Sequence, residues 1–126
     1  MGIDVGGTKM LAVAVDRSQP TEILVEHLVS TPSTANGVIS SLIELAQMCG
    51  AERQLGIGLA GLVEDGEVLR AAPNLQCMID VPVRSAVEGA LGVPVFIDND
   101  ATCALVAEMT YGVAQGSDDT VLVNLG

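Results

Sequence analysis

Positive charge is scarce in this sequence. Lysine and arginine number five (Lys9, Arg17, Arg53, Arg70 and Arg84), no two of them adjacent, against 16 acidic residues, for a formal charge of −11. That excludes the broad cationic footprint with which proteins hold nucleic acid. The same acidity repels the phosphates of a nucleotide, so a phosphate site must be built locally, from backbone N–H groups and a divalent cation. Cysteine is thin as well. Cys49, Cys77 and Cys103 are odd in number, widely spaced and set among apolar neighbours. That is the pattern of neither a disulfide framework nor a zinc cluster, and reduced thiols are the expectation. No apolar run approaches the ~18 to 20 residues of a membrane span, and no charged leader precedes an apolar core with a cleavage site. The expected setting is the cytoplasm, without a membrane partner.

What is present is apolar and alternating. Nearly half of the 126 residues are hydrophobic, enough for one compact domain with a single core and too little for two. Residues 1–5 read as a short strand, followed by a Gly-Gly-Thr turn and an almost unbroken apolar run from Met10 to Val15. A looser strand spans Glu22 to Ser30. Ser33 or Thr34 caps a helix on which Val38, Leu42, Leu45 and Cys49 recur at helical spacing, with Gly50 as its stop. Gln54 to Val63 reads as a Gly-rich strand. Glu64-Asp65-Gly66-Glu67 then turns into a short hairpin ending near Ala71, and residues 73–80 read as loop.

Pro82 is placed to start a helix at its first position, running to Leu91 and stopped by Gly92. Val93 to Ile97 reads as a buried strand, Ala101 to Tyr111 as a helix closed by Gly112, and Thr120 to Leu125 as a last strand. This order predicts a helix-covered sheet with an antiparallel meander first and parallel crossovers after it. His27 falls on an outer strand as a surface or partly packed residue, and Met48, Met78 and Met109 read as gap fillers.

Two short motifs carry chemistry. Asp4-Val5-Gly6-Gly7-Thr8-Lys9 sits in a tight turn between two apolar strands. Its glycines let the backbone approach a phosphate, Thr8 adds a hydroxyl, Lys9 adds a charge, and Asp4 at the strand end suits a hydrated magnesium ion. The competing reading is a hairpin turn whose glycines are purely conformational. Asp98-Asn99-Asp100 lies at the carboxyl end of a strand, where open α/β sheets collect ligands. A carboxylate there can take the proton of an attacking hydroxyl while an adjacent amide holds neighbouring hydroxyls. Alternatively, Asp98 or Asp100 only caps the following helix. Gly56-Ile57-Gly58-Leu59-Ala60-Gly61 fits G-x-G-x-x-G, but a hairpin rather than a helix follows it, which argues against a dinucleotide site.

Gly2 to Lys9, Gly56 to Val63, Pro73-Asn74-Leu75 and Asp98 to Glu108, in this order and at these separations, together resemble the ROK family of sugar kinases and related repressors. The resemblance covers essentially the whole chain. It implies a ribonuclease-H-like, actin-like ATPase domain with a five-stranded mixed sheet flanked by helices. It further implies ATP with magnesium, glucokinase-like phosphorylation of a hexose hydroxyl, and Asp100 as catalytic base. Asp4, Gly6, Gly7, Thr8 and Lys9 match the phosphate motif, with Asp4 as the magnesium residue acting through water. Gly61, Leu62, Asn74, Asn99 and Asp100 match sugar-contacting positions.

Departures from the family pattern fall at Gln76-Cys77-Met78, where many family glucokinases continue with Pro-Gly-Trp, and at Thr102, where a second asparagine is usual. By the same resemblance, residues 1–117 form the N-terminal domain and residues 118–126 the first strand of a second domain. Gly126 opens that domain's phosphate motif, and a structural zinc is expected only in the part beyond it. Homodimerisation is compatible with this reading. The alternatives are a sugar-sensing domain of a ROK-type repressor, whose winged helix would precede a motif that here begins at Gly2, and a non-catalytic sugar-binding domain.

Overall fold

A computed structural model describes residues 1–16 and 18–124. Arg17, the end of the expected last strand at Leu125, and Gly126 with its expected phosphate motif lie outside the described residues. The chain begins with β1 (Gly2–Val5), β2 (Lys9–Val15) and β3 (Ile23–Ser30), followed by α1 (Ala35–Met48) and β4 (Leu55–Leu59). Then come β5 (Leu62–Glu64), β6 (Val68–Ala71), a 3-10 turn over Gln76–Met78, α2 (Val83–Leu91), β7 (Val95–Asn99) and α3 (Asp100–Tyr111).

Five strands form one sheet in the order β3-β2-β1-β4-β7. β2 pairs antiparallel with β1 and β3, whereas β1, β4 and β7 run parallel. The meander followed by crossovers is the topology that the alternation of elements predicts. Its consequence for function is geometric: the three parallel strands all end at one edge of the sheet, after Val5, Leu59 and Asn99.

Period-two burial shows which face is the core. Ile3, Val5, Met10, Ala12, Leu55, Ile57, Leu59, Val95 and Ile97 are buried and pack with Val38, Leu42 and Leu45 of α1 and Val83 and Val87 of α2 in one cluster. The opposite face carries Asp4, Gly58, Phe96 and Asp98, and only α3, which buries no residue of its own, lies against it. β7 is therefore buried on one side alone, and Phe96 is 62% exposed. Val93 and Pro94 of the expected strand precede it, because β7 runs from Val95 to Asn99.

Other local expectations shift for identifiable reasons. The Gly-rich segment is two strands in two sheets, broken at Ala60 and Gly61, since the Gly61 N–H turns back to the Leu59 carbonyl. Asp65 and Gly66 both have left-handed backbone (φ 53° and 59°), the geometry that closes a two-residue hairpin turn. Pro82 precedes α2 as its cap residue without a side-chain bond, and the helix ends on Gly92 at φ 69°. Thr34, not Ser33, caps α1. Met78 is buried, but Met48 and Met109 are 59% and 38% exposed, so only the first fills a gap in the core. Residues 120–124 take no regular structure. A strand needs a paired neighbour, and Val121 and Val123 stand in solvent.

Candidate active site

The glycine turn is held from two sides. Gly6 N–H donates to the Lys9 carbonyl (3.0 Å), while Thr31 donates its N–H to the Thr8 carbonyl (2.9 Å) and its hydroxyl to the Gly6 carbonyl (2.7 Å). Neither Gly6 nor Gly7 has a positive φ, so the turn does not need glycine for its backbone angles. Contact explains Gly7 instead. A Cβ at Gly7 would lie 2.6 Å from both the Cβ and the carbonyl oxygen of Asn74, closer than packed atoms tolerate. The turn and the Pro73-Asn74-Leu75 loop are thus pressed together, and with Thr31 and Gln76 they border a cavity of about 350 Å³. The N–H groups of Gly7 and Thr8 make no bond within the described residues.

Next along the same edge, β4 ends at Leu59, two residues before Gly61, and β7 ends at Asn99. Gly61 is tightly enclosed, since a Cβ there would lie 2.5 Å from the Ala71 carbonyl oxygen. Asn99 caps α3, its Oδ1 accepting from Thr102 N–H (3.0 Å). Its Nδ2 donates to the Gly61 carbonyl (2.9 Å) and to Asp100 Oδ1 (2.9 Å). Asp100 Oδ1 also accepts the N–H of Ala101 (2.8 Å). The cap of α3 is the middle residue of the triplet, which leaves both aspartates without the capping role open to them in the sequence. Asp98 Oδ1 accepts the N–H of Asn99 (2.7 Å).

Asp4 and Asp100 meet across Gly58. A Cβ at Gly58 would lie 3.5 Å from Asp100 Cα, 3.7 Å from Cys103 Sγ and 3.8 Å from Asp4 Oδ1. This bare position lets α3 settle over the sheet beside β1. Burial first, and then the charge of Asp100, pushes the Asp4 carboxyl above the ordinary carboxylate range, although Asp4 keeps solvent contact through the groove. Burial, followed by the charges of Asp98, Asp100 and Asp4, likewise raises the Cys103 thiol. An open groove of about 820 Å³ runs along this face, lined among others by Asp4, Gly58, Asp98, Asp100 and Cys103.

The structure therefore brings together Asp4 with Asp100, Asn99 with Gly61 and Asp100, and Gly7 with Asn74. Thr8 and Lys9 are exposed at the turn and line neither cavity, and Leu62 is 64% exposed at the start of β5. Thr31 was not singled out by the sequence, and Gly58, Cys103 and Glu67 were read there only as part of a G-x-G-x-x-G match, as a reduced thiol and as a turn residue. Glu67 accepts from Arg84 Nε (2.9 Å) and Ser85 N–H (3.0 Å), and its backbone carbonyl accepts from Val83 N–H (3.1 Å). The Ser85 and Arg84 bonds hold its carboxyl below the usual range. It supplies the cap that Pro82 cannot and fastens the β5–β6 hairpin to α2. No local pattern marks it, because its partners are 16 to 18 positions away.

A β3-β2-β1-β4-β7 sheet whose parallel strands deliver a glycine turn and a carboxylate to one edge defines an actin-like ATPase domain, of the ribonuclease-H-like type. A glucokinase from Streptomyces griseus, crystallised with glucose and AMPPNP, superposes with a TM-score of 0.82 at 34% identity over 91% of this chain and 37% of that one. A ROK hexokinase from Thermus thermophilus gives 0.80 at 36% identity, over 91% and 39%. The chain belongs to the ROK family, whose model matches residues 1–126. It is 34% identical to a glucokinase from Streptomyces coelicolor across its full length, and it spans about 40% of that relative.

Proposed function

We propose that this chain is the N-terminal half of an ATP-dependent hexose kinase, glucokinase-like in reaction, that phosphorylates a sugar hydroxyl. The observation that carries the reading is the state of Asp100. One carboxylate oxygen is fixed by two N–H donors, while Oδ2 takes no hydrogen bond among the described residues. It stands at the same strand edge as the glycine turn. A carboxylate so held is a general base with one oxygen reserved for its proton.

In the proposed reaction Gly61, Leu62, Asn74 and Asn99 contact the sugar and orient its hydroxyl toward Asp100 Oδ2. As the hydroxyl oxygen bonds to the γ-phosphorus of ATP, its proton passes to Oδ2 and the bond from phosphorus to the departing ADP oxygen breaks. The N–H groups of Gly7 and Thr8, the Thr8 hydroxyl and the Lys9 ammonium receive the phosphates, with Gly6 shaping the turn from within. Positioning and charge stabilisation are the main contributions asked of the protein.

Asp4 fits a magnesium ion. Its carboxylate has no hydrogen-bond donor among the described residues and faces a second carboxylate, a repulsion that a hydrated cation offsets. Magnesium is commonly held by one or two carboxylates and water. When bound, the ion supplies charge neutralisation at the phosphates. Residues 1–117 are proposed as the domain that carries this site and residues 118–126 as the entry to a second domain, a reading supported by the unpaired state of residues 120–124. The described helices include none long and apolar enough to cross a membrane.

A repressor or non-catalytic sugar binder would use the open oxygen only to accept a hydrogen bond from a sugar hydroxyl, whereas the kinase uses it to take that hydroxyl's proton. A coupled assay of the full-length parent with ATP, magnesium and a panel of hexoses tests the proposal. Hexose-dependent ADP release by the parent, with turnover at background for this chain alone, is the expected pair of results. A parent that binds hexose but releases no ADP contradicts it.

A further inference from the structure

We infer that Asn99 is a positioning residue whose side-chain amide aims the open oxygen of Asp100 and ties it to the Gly61 loop. The inference rests on the kinase reading above and deepens it. Thr102 N–H can only donate, so the atom facing it is the amide oxygen of Asn99 (3.0 Å). Nδ2 then faces two groups that can only accept, the Gly61 carbonyl and the Asp100 carboxylate, each at 2.9 Å. All three contacts demand the same amide orientation, and together they use both of its hydrogens. Asn99 consequently has no N–H left for a sugar, and only a lone pair of Oδ1 remains available to a hydroxyl.

The geometric consequence falls on Asp100. The donor from Asn99 and the N–H of Ala101 (2.8 Å) converge on the same oxygen, Oδ1. That stops the carboxylate from rotating and makes Oδ2 the oxygen presented to the cleft. The second hydrogen reaches 38 residues back along the chain to the Gly61 carbonyl. The loop proposed to touch the sugar and the base proposed to deprotonate it are therefore indexed to one another through a single planar amide. An aspartate at position 99 keeps an acceptor for Thr102 but sets oxygen against both the Gly61 carbonyl and Asp100. A serine there keeps the cap and is too short to serve the other two partners. Both are good helix caps, so both variants retain α3.

In the full-length parent, Asn99→Asp and Asn99→Ser are expected to lower kcat about 100-fold, the scale of a displaced reacting group. KM for hexose should rise by no more than about tenfold, so that the larger effect falls on kcat, and the melting temperature should fall by no more than about 5 °C. A kcat within threefold of the unmutated parent overturns the inference. So does a loss confined to KM, which marks a plain sugar ligand, or a loss that simply tracks unfolding. If the unmutated parent itself shows no turnover, the kinase reading fails, and hydrogen exchange in this chain still decides the point. The side-chain amide hydrogens of Asn99 should exchange at least about tenfold more slowly than those of exposed Asn36, and equal rates overturn it.

Discussion

Asp100→Asn in the full-length parent is expected to cut kcat by about 1000-fold, within the span that a general base contributes, while hexose affinity shifts by no more than about threefold, roughly 0.7 kcal/mol. The substitution keeps size and shape. Its amide oxygen can still accept from Asn99 Nδ2 and Ala101 N–H, as Asp100 Oδ1 does now. What changes is the atom at the open position, where an NH2 group donates to the sugar hydroxyl instead of accepting its proton. Sugar binding and proton transfer are thereby separated at one atom. Steady-state kinetics together with calorimetric titration of the same preparation read both. A variant that turns over within tenfold of the parent would remove Asp100 from the chemistry.

Gly7→Ala is expected to lower the stability of this chain by about 2 kcal/mol, the usual cost of an atom forced into occupied space. For a domain of this size that is a fall of about 8 °C in melting temperature. The added methyl would sit 2.6 Å from the Cβ and carbonyl oxygen of Asn74, so either the turn or the Pro73-Asn74-Leu75 loop must give way. Gly89→Ala is the matched control. Gly89 lies inside α2 with nothing within 4 Å of an added Cβ, and alanine there is expected to stabilise by about 0.7 kcal/mol through helix propensity. Thermal unfolding of the two variants side by side checks both signs. In the parent, the displaced Asn74 should also weaken hexose binding about tenfold, about 1.4 kcal/mol. A neutral Gly7→Ala would show that turn and loop do not touch.

Much of this site was legible in the order and spacing of its residues, and what was not has a common cause. Asp4 and Asp100 could be picked out because a carboxylate at a strand end beside a turn is a local pattern, and the parallel topology then carries both to one edge. The core of α1 followed from its helical spacing. Hidden were the features that depend on contacts between distant segments. Gly7 looks like a residue chosen for backbone freedom or for a phosphate, and only the fold reveals that Asn74 occupies the space beside it. The capping of α3 by Asn99 was missed for a related reason. All three residues of the triplet can cap a helix, and the choice depends on where the Gly61 carbonyl lies. The break at Gly61 and the open side of Phe96 are properties of the sheet, since apolar residues read as buried until the number of covering layers is known. Residues 120–124 carry strand-forming side chains, yet a strand is a relation between two segments, and none of the described residues offers them a partner.

The most direct measurement is a crystal structure of the full-length parent with a hexose and a non-hydrolysable ATP analogue. The predicted result is a sugar hydroxyl about 2.7 Å from Asp100 Oδ2, with the terminal phosphate on the other side of that hydroxyl, against the N–H groups of Gly7 and Thr8. A hexose seated away from Asp100, or a phosphate on the far side of the sheet from the glycine turn, would contradict it.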